Sequence, residues 1–157
     1  MFDPITYFKT LCLSNKVTKD KYLFTQISGI SELEGIIANR KRHNYFVAVD
    51  NAEDGSTIQG QGRGFFERRP TTVFLCGFAG NDQQRKNSML EELRGIYRDF
   101  VSKLIKDKSE NPLLLINTER IPFYEIPSSF ADGIIGIYFI VTVDNQINLV
   151  YDASKWE

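Results

Sequence analysis

The sequence is poor in the side chains from which catalytic and metal sites are usually built. Among its 157 residues it has one histidine, His43, and two cysteines, Cys12 and Cys76. A Ser–His–Asp or Cys–His catalytic site would have to use His43, which lies in the basic run at residues 40–43. The same scarcity argues against a zinc site built from His and Cys ligands. Each cysteine lies in an apolar run, so we expect two buried free thiols and no disulfide framework.

The sequence also lacks long apolar runs and a strong net charge. No run reaches the roughly 18 apolar residues that a membrane-spanning helix needs, and the start, MFDPITYFKT, lacks the basic and apolar regions of a signal peptide. We therefore expect a cytoplasmic protein without a membrane partner. The net charge of −1 gives the chain no electrostatic bias toward nucleic acid and does little to oppose self-association.

Aromatic side chains are what the sequence has in quantity, with 12 Phe and 7 Tyr. The hydrophobic fraction of 42% and the charged fraction of 25% are typical of a soluble globular protein. The length predicts a single domain, residues 1–157, with a core of its own. Aromatic residues fill cores first and interfaces second, so their number favours a protein with contact surfaces.

Two helices are indicated clearly. Asp3 as N-cap and Pro4 at the first helical position predict a short N-terminal helix with Ile5, Phe8 and Leu11 or Cys12 on one face. A broad apolar stripe predicts a long helix from Asn81 or Asp82 to about residue 108. A third segment, residues 31–43, has a capping box in Ser31 and Glu34, which predicts one or two helical turns or an irregular segment.

Strands are predicted from short runs of β-branched and aromatic residues. They fall at residues 22–27, 45–50, 71–78 and 113–117, and a proline-rich segment at 119–129 should run extended along a surface or an edge. The C-terminus, residues 133–152, predicts a hairpin that turns at Asp144 and Asn145. The sum is an α+β fold, a mostly antiparallel sheet packed on one face by the long amphipathic helix and the short N-terminal helix.

The stretch GQGRGFFERRP, residues 60–70, invites comparison with phosphate-binding loops. A dinucleotide loop needs the spacing G-x-G-x-x-G and a helix directly after it. Here the spacing is G-x-G-x-G and a strand follows, so we expect no nucleotide. The nearby acidic loop lacks two oxygen ligands of a calcium loop, at Ala52 and Gln61. The sequence thus predicts no cofactor, no metal and no catalytic residue.

The same stretch is better interpreted as a contact surface. Residues 52–64 are polar and glycine-rich, which predicts a flexible loop, and the residues after them lead into the strand at 71–78. Arginine and phenylalanine are enriched at protein interfaces. The candidate interface residues are Arg63, Phe65, Phe66, Arg68 and Arg69. Interleaved arginine and aromatic residues also bind single-stranded nucleic acid, but Glu67 lies within the cluster, so nucleic acid is not the expected partner.

In the order of its elements the chain resembles the tail terminator and tail-completion proteins of tailed phages, including prophage copies. The likeness consists of the N-terminal helix, the strand YFVAVD, a long polar loop, the strand RPTTVFLCGF, one long amphipathic helix and the strand in DGIIGIYFIVTVD. It covers most of the chain. The segment at residues 113–127 departs from it, because a minimal terminator does not need that segment.

The resemblance implies a structural protein rather than an enzyme. It implies a homo-oligomeric ring that forms on assembly, contacts tail tube or neck proteins and becomes part of the virion. The loop at 52–64 would then lie at a ring or tube contact. Two alternatives stay open from the sequence: a nonenzymatic interaction or adaptor domain of another bacterial system, and a protein that binds single-stranded nucleic acid.

Overall fold

The computed structural model describes residues 2–39, 45–51, 54–62, 64–127 and 133–156. In these ranges one six-stranded sheet is packed by three α-helices, so the predicted α+β class is confirmed. A single 3₁₀ turn, Ala153–Lys155, closes the described chain. The elements are, in order, α1 (Pro4–Ser14), β1 (Leu23–Ile27), α2 (Ile30–Asn39), β2 (Tyr45–Asp50), β3 (Ser56–Gln59), β4 (Phe65–Phe78), α3 (Gln83–Glu110), β5 (Phe123–Glu125) and β6 (Ile134–Ile147).

The sheet is built around β4 and β6. These two strands have 14 residues each and pair antiparallel over their whole length, from Phe65 opposite Ile147 to Phe78 opposite Ile134. The strand order is β1-β2-β4-β6-β5, and β3 also pairs with β4, whose residues 65–68 it contacts. Only β1 and β2 pair in parallel within the described sheet, so it is mostly antiparallel, as predicted.

The C-terminal hairpin predicted from the sequence does not form. Asp144 and Asn145 do not turn the chain but lie inside β6, opposite Arg68 and Glu67. The reason is the length of β4, which begins at Phe65, six residues before the predicted strand. Those additional residues supply the backbone partners that let β6 continue straight to Ile147.

Both clearly predicted helices are present with their caps. The Asp3 carboxylate accepts hydrogen bonds from the backbone N–H groups of Ile5 and Thr6, at 3.0 and 3.3 Å. Asp82 caps α3 in the same way, through the N–H groups of the second and third helical residues. These bonds satisfy backbone donors that a helix start leaves without intrahelical partners.

The main core lies between one face of the sheet and the helices α1 and α3. On β6, residues 137, 139, 141 and 143 are buried there, as the alternating pattern predicts. Phe8 of α1 meets Phe139 edge to face, with ring centroids 5.8 Å apart, and Phe100 of α3 lies on the other side of Phe8 at 6.3 Å. Three aromatic rings thus join both helices to the central strands.

The two predicted helices, α1 and α3, share one face of the sheet as expected, and the opposite face is covered by α2. Leu33 is fully buried against Phe46, Phe74 and Cys76, in a second apolar cluster. The cause is in β2, where the first five residues are buried on alternating faces, because a strand that is apolar on both sides needs cover on both.

The helix α2 also starts and caps differently from the prediction. It begins at Ile30 and has 10 residues, more than one or two turns. Glu32, rather than Glu34, reaches back and accepts a hydrogen bond from the backbone N–H of Ser28 at 2.5 Å. Gly29 has φ +87°, a conformation that glycine adopts readily, and it lets the helix begin before Ser31.

Two further predictions concern the chain after α3. The buried strand at 113–117 is wrong: Leu113 is 90% exposed, and Ile116 alone makes an isolated bridge, to Val143. Pro112 and a turn closed by the Asn111 side chain on the N–H of Leu113 occupy the start of this segment. Only residues 115–117 meet β6, where the N–H of Asn117 donates to the Thr142 carbonyl at 2.9 Å. In the predicted extended segment at 119–129, Phe123–Glu125 form β5, a three-residue strand beside β6. Residues 128 and 129 of that segment lie outside the described residues.

Candidate interaction surfaces

The polar span at 52–64 is partly structured. Within the predicted loop, Ser56–Gln59 form β3, which pairs with residues 65–68. Thr57 and Ile58 favour a strand, and they meet the edge of β4 beyond the residues that β2 occupies. At the tip the N–H of Gly60 donates to the carbonyl of Gly64 at 2.8 Å. The flexibility of the span stays a prediction, and residues 52, 53 and 63 lie outside the described residues.

The structure does not bring the predicted interface residues together. Arg63 lies outside the described residues, as do the basic run 40–43 and His43. Strand alternation sends Phe65 and Arg69 to one face of β4 and Phe66 and Arg68 to the other. Arg69 borders a cavity of about 250 Å³ at the start of α1, together with Phe2 and Asp3. Residues adjacent in sequence therefore belong to two different surfaces.

Arg68 and Arg69, the two candidate interface arginines that the structure describes, each bind a carboxylate. Arg68 binds Asp144 through two hydrogen bonds, Nε to Oδ1 and Nη2 to Oδ2, each 2.8 Å long. These bonds raise the pKa of Arg68. Arg69 binds Glu67 through Nε at 3.0 Å and Nη2 at 2.6 Å. Guanidinium groups held in this way have fewer donors left for phosphates, which disfavours the nucleic-acid alternative.

Six of the eleven exposed large apolar side chains among the described residues lie at one end of the molecule, which we call the distal end. It contains the tip of the β3–β4 hairpin and the end of β6, because Phe65 pairs with Ile147. Residues 111–115 lie there too, since the N–H of Asp144 donates to the Leu115 carbonyl at 2.9 Å. The start of α1 borders the same residues. The strongly exposed large apolar residues at this end are Leu113, Leu115, Leu149, Val150, Tyr151 and Trp156.

The chain after β6 projects from the distal end as a short arm, residues 148–156, the C-terminal arm. Val150 is 81% exposed, Tyr151 71% and Trp156 69%. The alternation of polar and apolar residues after Asn145 predicts a returning strand here. Three consecutive apolar residues, 149–151, break that alternation, and this signal could have identified the arm.

A wide groove of about 920 Å³ lies beside the root of this arm, and we call it the distal groove. One wall is the face of α1 that carries Thr6, Tyr7 and Thr10, the other is the segment 111–115, and the end of β6 borders it at residues 143–146. Tyr7 ties the α1 wall to α3 through a 2.8 Å hydrogen bond from its hydroxyl to Asp107 Oδ2. The wall at 111–115 includes the exposed Leu113 and Leu115.

The described residues contain no group of three or more His, Cys, Asp or Glu side chains placed to hold a metal ion. No helix in the described ranges is long and apolar enough to cross a membrane. Cys12 and Cys76 are buried free thiols, as predicted, and burial raises the pKa of both. The chain matches no protein-family model and no curated protein sequence.

Proposed function

We propose that this chain is a structural protein of a phage or phage-derived tail, which assembles into a ring that ends the tail tube or joins it to the neck. Its work is to hold other proteins together, without catalysis. The supporting observation is the concentration of exposed apolar side chains at the distal end, on the C-terminal arm and on residues 113 and 115. Exposed large apolar side chains grouped at one end of a molecule are typical of sites of protein contact.

The arrangement suits a ring in particular. Rings form when one surface of a subunit binds a different surface of the next and the rotation closes. The C-terminal arm and the distal groove are two such different surfaces on one chain. The order of elements, from the N-terminal helix through the hairpin-connected β2 and β4 to the long α3, is the one that resembles tail terminator proteins.

Electron microscopy and mass photometry test this proposal. The purified chain is imaged alone and after mixing with the tube-forming protein encoded beside it. We expect closed rings, and rings seated at tube ends in the mixture. Neighbouring genes for a portal, a major tail protein or a tape measure would agree with this. Binding to an unrelated protein without rings or tube contact would overturn the tail assignment and favour the adaptor alternative.

A further inference from the structure

We propose that the C-terminal arm of one copy of this chain binds in the distal groove of the next copy. The inference rests on the proposed ring and names the contact that would close it. It follows from four features of the distal end: the arm's conformation, the groove's walls, the state of the charges and the position of the arm's root.

The arm is ordered by its own short-range bonds. The N–H of Val150 donates to Asn148 Oδ1 at 3.0 Å, and the N–H of Ser154 donates to Asp152 Oδ1 at 3.0 Å. The rings of Tyr151 and Trp156 stack with centroids 6.3 Å apart. Local contacts of this kind restrict the arm's conformations, so binding costs less conformational entropy than it would for an unrestricted segment.

The groove offers a matching surface. Its wall at residues 111–115 presents Leu113, 90% exposed, and Leu115, 40% exposed, while Val143 is the buried residue of β6 that borders it. Covering these leucines with Leu149, Val150 and Tyr151 would remove apolar area from water on both surfaces, which favours the contact.

The charges at the groove do not oppose an apolar arm. Two carboxylates border it, and both already have partners: Asp3 caps α1, and Asp144 binds Arg68. On the arm, Asp152 and Lys155 form their own ion pair at 3.7 Å. Neither surface therefore has to bury a carboxylate that lacks hydrogen-bond donors, which would be a large cost of such a contact.

The arm's root explains why the occupant is a second copy. Gln146, two residues before the arm, borders the groove of its own chain. None of residues 148–156 lines that groove, and Val150 and Tyr151 remain exposed. The arm thus leaves the groove of its own chain open, and a second copy carries the same exposed arm and the same open groove.

Cysteine cross-linking between two singly substituted chains tests the contact. Leu113→Cys and Val150→Cys are purified separately, mixed, and treated with a short bismaleimide. The native Cys12 and Cys76 are both buried at 0% exposure and should react slowly. We expect L113C–V150C dimers in the mixture, in excess of the dimers that either variant forms alone. Leu13→Cys replaces L113C as control, since Leu13 is exposed at 58% on α1 and lies outside the groove.

The outcomes separate the contact from the ring. Rings without the L113C–V150C product would overturn arm exchange and leave the ring intact. A cross-link within a single chain carrying both substitutions, with none between chains, would show that the arm binds its own groove and would also overturn it. Abundant L113C–V150C dimers without rings would support the contact and contradict the proposed function.

A second pair of variants tests the apolar character of the contact. Val150→Asp and Leu113→Asp should each weaken self-association at least tenfold, while the control Leu13→Asp should leave it unchanged. Circular dichroism and urea unfolding establish that all three remain folded. Equal weakening by all three substitutions, or by none, would contradict the proposal.

Discussion

Arg68 and Asp144 stand directly opposite each other on β4 and β6 and form two parallel hydrogen bonds of 2.8 Å. The pair joins the parts of the two strands that sequence patterns did not predict to be paired. Its side chains are 41% and 22% exposed, so solvent screens the attraction. It therefore fixes the register of the distal strands more than it adds to stability.

A double-mutant cycle on Arg68→Ala and Asp144→Ala should show a coupling free energy of about 0.5–1 kcal/mol at low salt. The coupling should shrink in about 1 M NaCl, where the screening length falls to roughly 3 Å. Lys106 and Glu110, 3.5 Å apart and both more than 60% exposed, are the control pair and should couple more weakly. Urea unfolding measures all values, and an Arg68–Asp144 coupling no larger than the control would contradict the prediction.

The hydrogen bond between Tyr7 and Asp107 should make the free energy of unfolding depend on pH in the acidic range. Desolvation raises the pKa of Asp107, but hydrogen bonds from Lys103 and Tyr7 outweigh it and hold the pKa below its ordinary 3.8. A carboxylate with a lowered folded-state pKa stabilises the fold above its unfolded-state pKa. That contribution is lost as the pH falls below about 4 and then through the folded-state pKa of Asp107.

Tyr7→Phe should therefore lower the free energy of unfolding by about 1–1.5 kcal/mol near pH 6. The loss should be smaller near pH 3, because a larger fraction of the Asp107 side chain is protonated there and the hydrogen bond to its charged form contributes less. Tyr151→Phe is the control, because Tyr151 is 71% exposed, and it should be neutral at both pH values. Urea unfolding at the two pH values checks this. A cost for Y7F that does not change with pH would sink the assignment.

Two glycines should respond in opposite directions to alanine. At Gly136 an added Cβ would lie 2.7 Å from Ile126 Cδ1 and 2.9 Å from both Cys76 Sγ and the Leu75 carbonyl oxygen, so Gly136→Ala should destabilise by about 1–3 kcal/mol. Gly95 lies inside α3 with nothing within 4 Å of its Cβ position. Gly95→Ala should stabilise by about 0.5–1 kcal/mol. Thermal and urea unfolding measure both. A Gly136→Ala variant as stable as the parent would refute the packing described at Gly136, and a destabilised Gly95→Ala variant would refute the open space described at Gly95.

Sequence patterns within a few residues predict the elements whose formation depends on neighbouring residues, such as helix starts. Asp3 and Asp82 mark helix starts because a cap acts within three residues of itself. The pairing of Asp144 with Arg68 spans 76 positions, and no local pattern encodes it. A turn signal at Asp144–Asn145 is overridden when a distant strand supplies backbone partners. The distal groove was missed for the same reason, because its walls come from α1, β6 and the chain after α3.

The candidate interface residues illustrate the limit in a second way. Phe65, Phe66, Arg68 and Arg69 were grouped because they adjoin in sequence, as they would in a flexible loop. Once β4 begins at Phe65, alternation assigns them to opposite faces. Composition identified residues suited to contacts, but only the strand's extent decides which of them share a surface.

Neighbouring positions on α3 provide the last prediction. Leu104 is fully buried and Ile105 is 48% exposed, although the apolar stripe in the sequence includes both. Leu104→Ala should cost about 2–5 kcal/mol, the loss of transfer free energy plus a cavity. Ile105→Ala should cost below about 1 kcal/mol, because alanine's better helix propensity offsets part of the lost contact. Urea unfolding of the two variants compares them directly. Similar losses in the free energy of unfolding would mean that α3 is rotated about its axis relative to the described packing. A loss of self-association in I105A alone would identify Ile105 as a further contact between subunits.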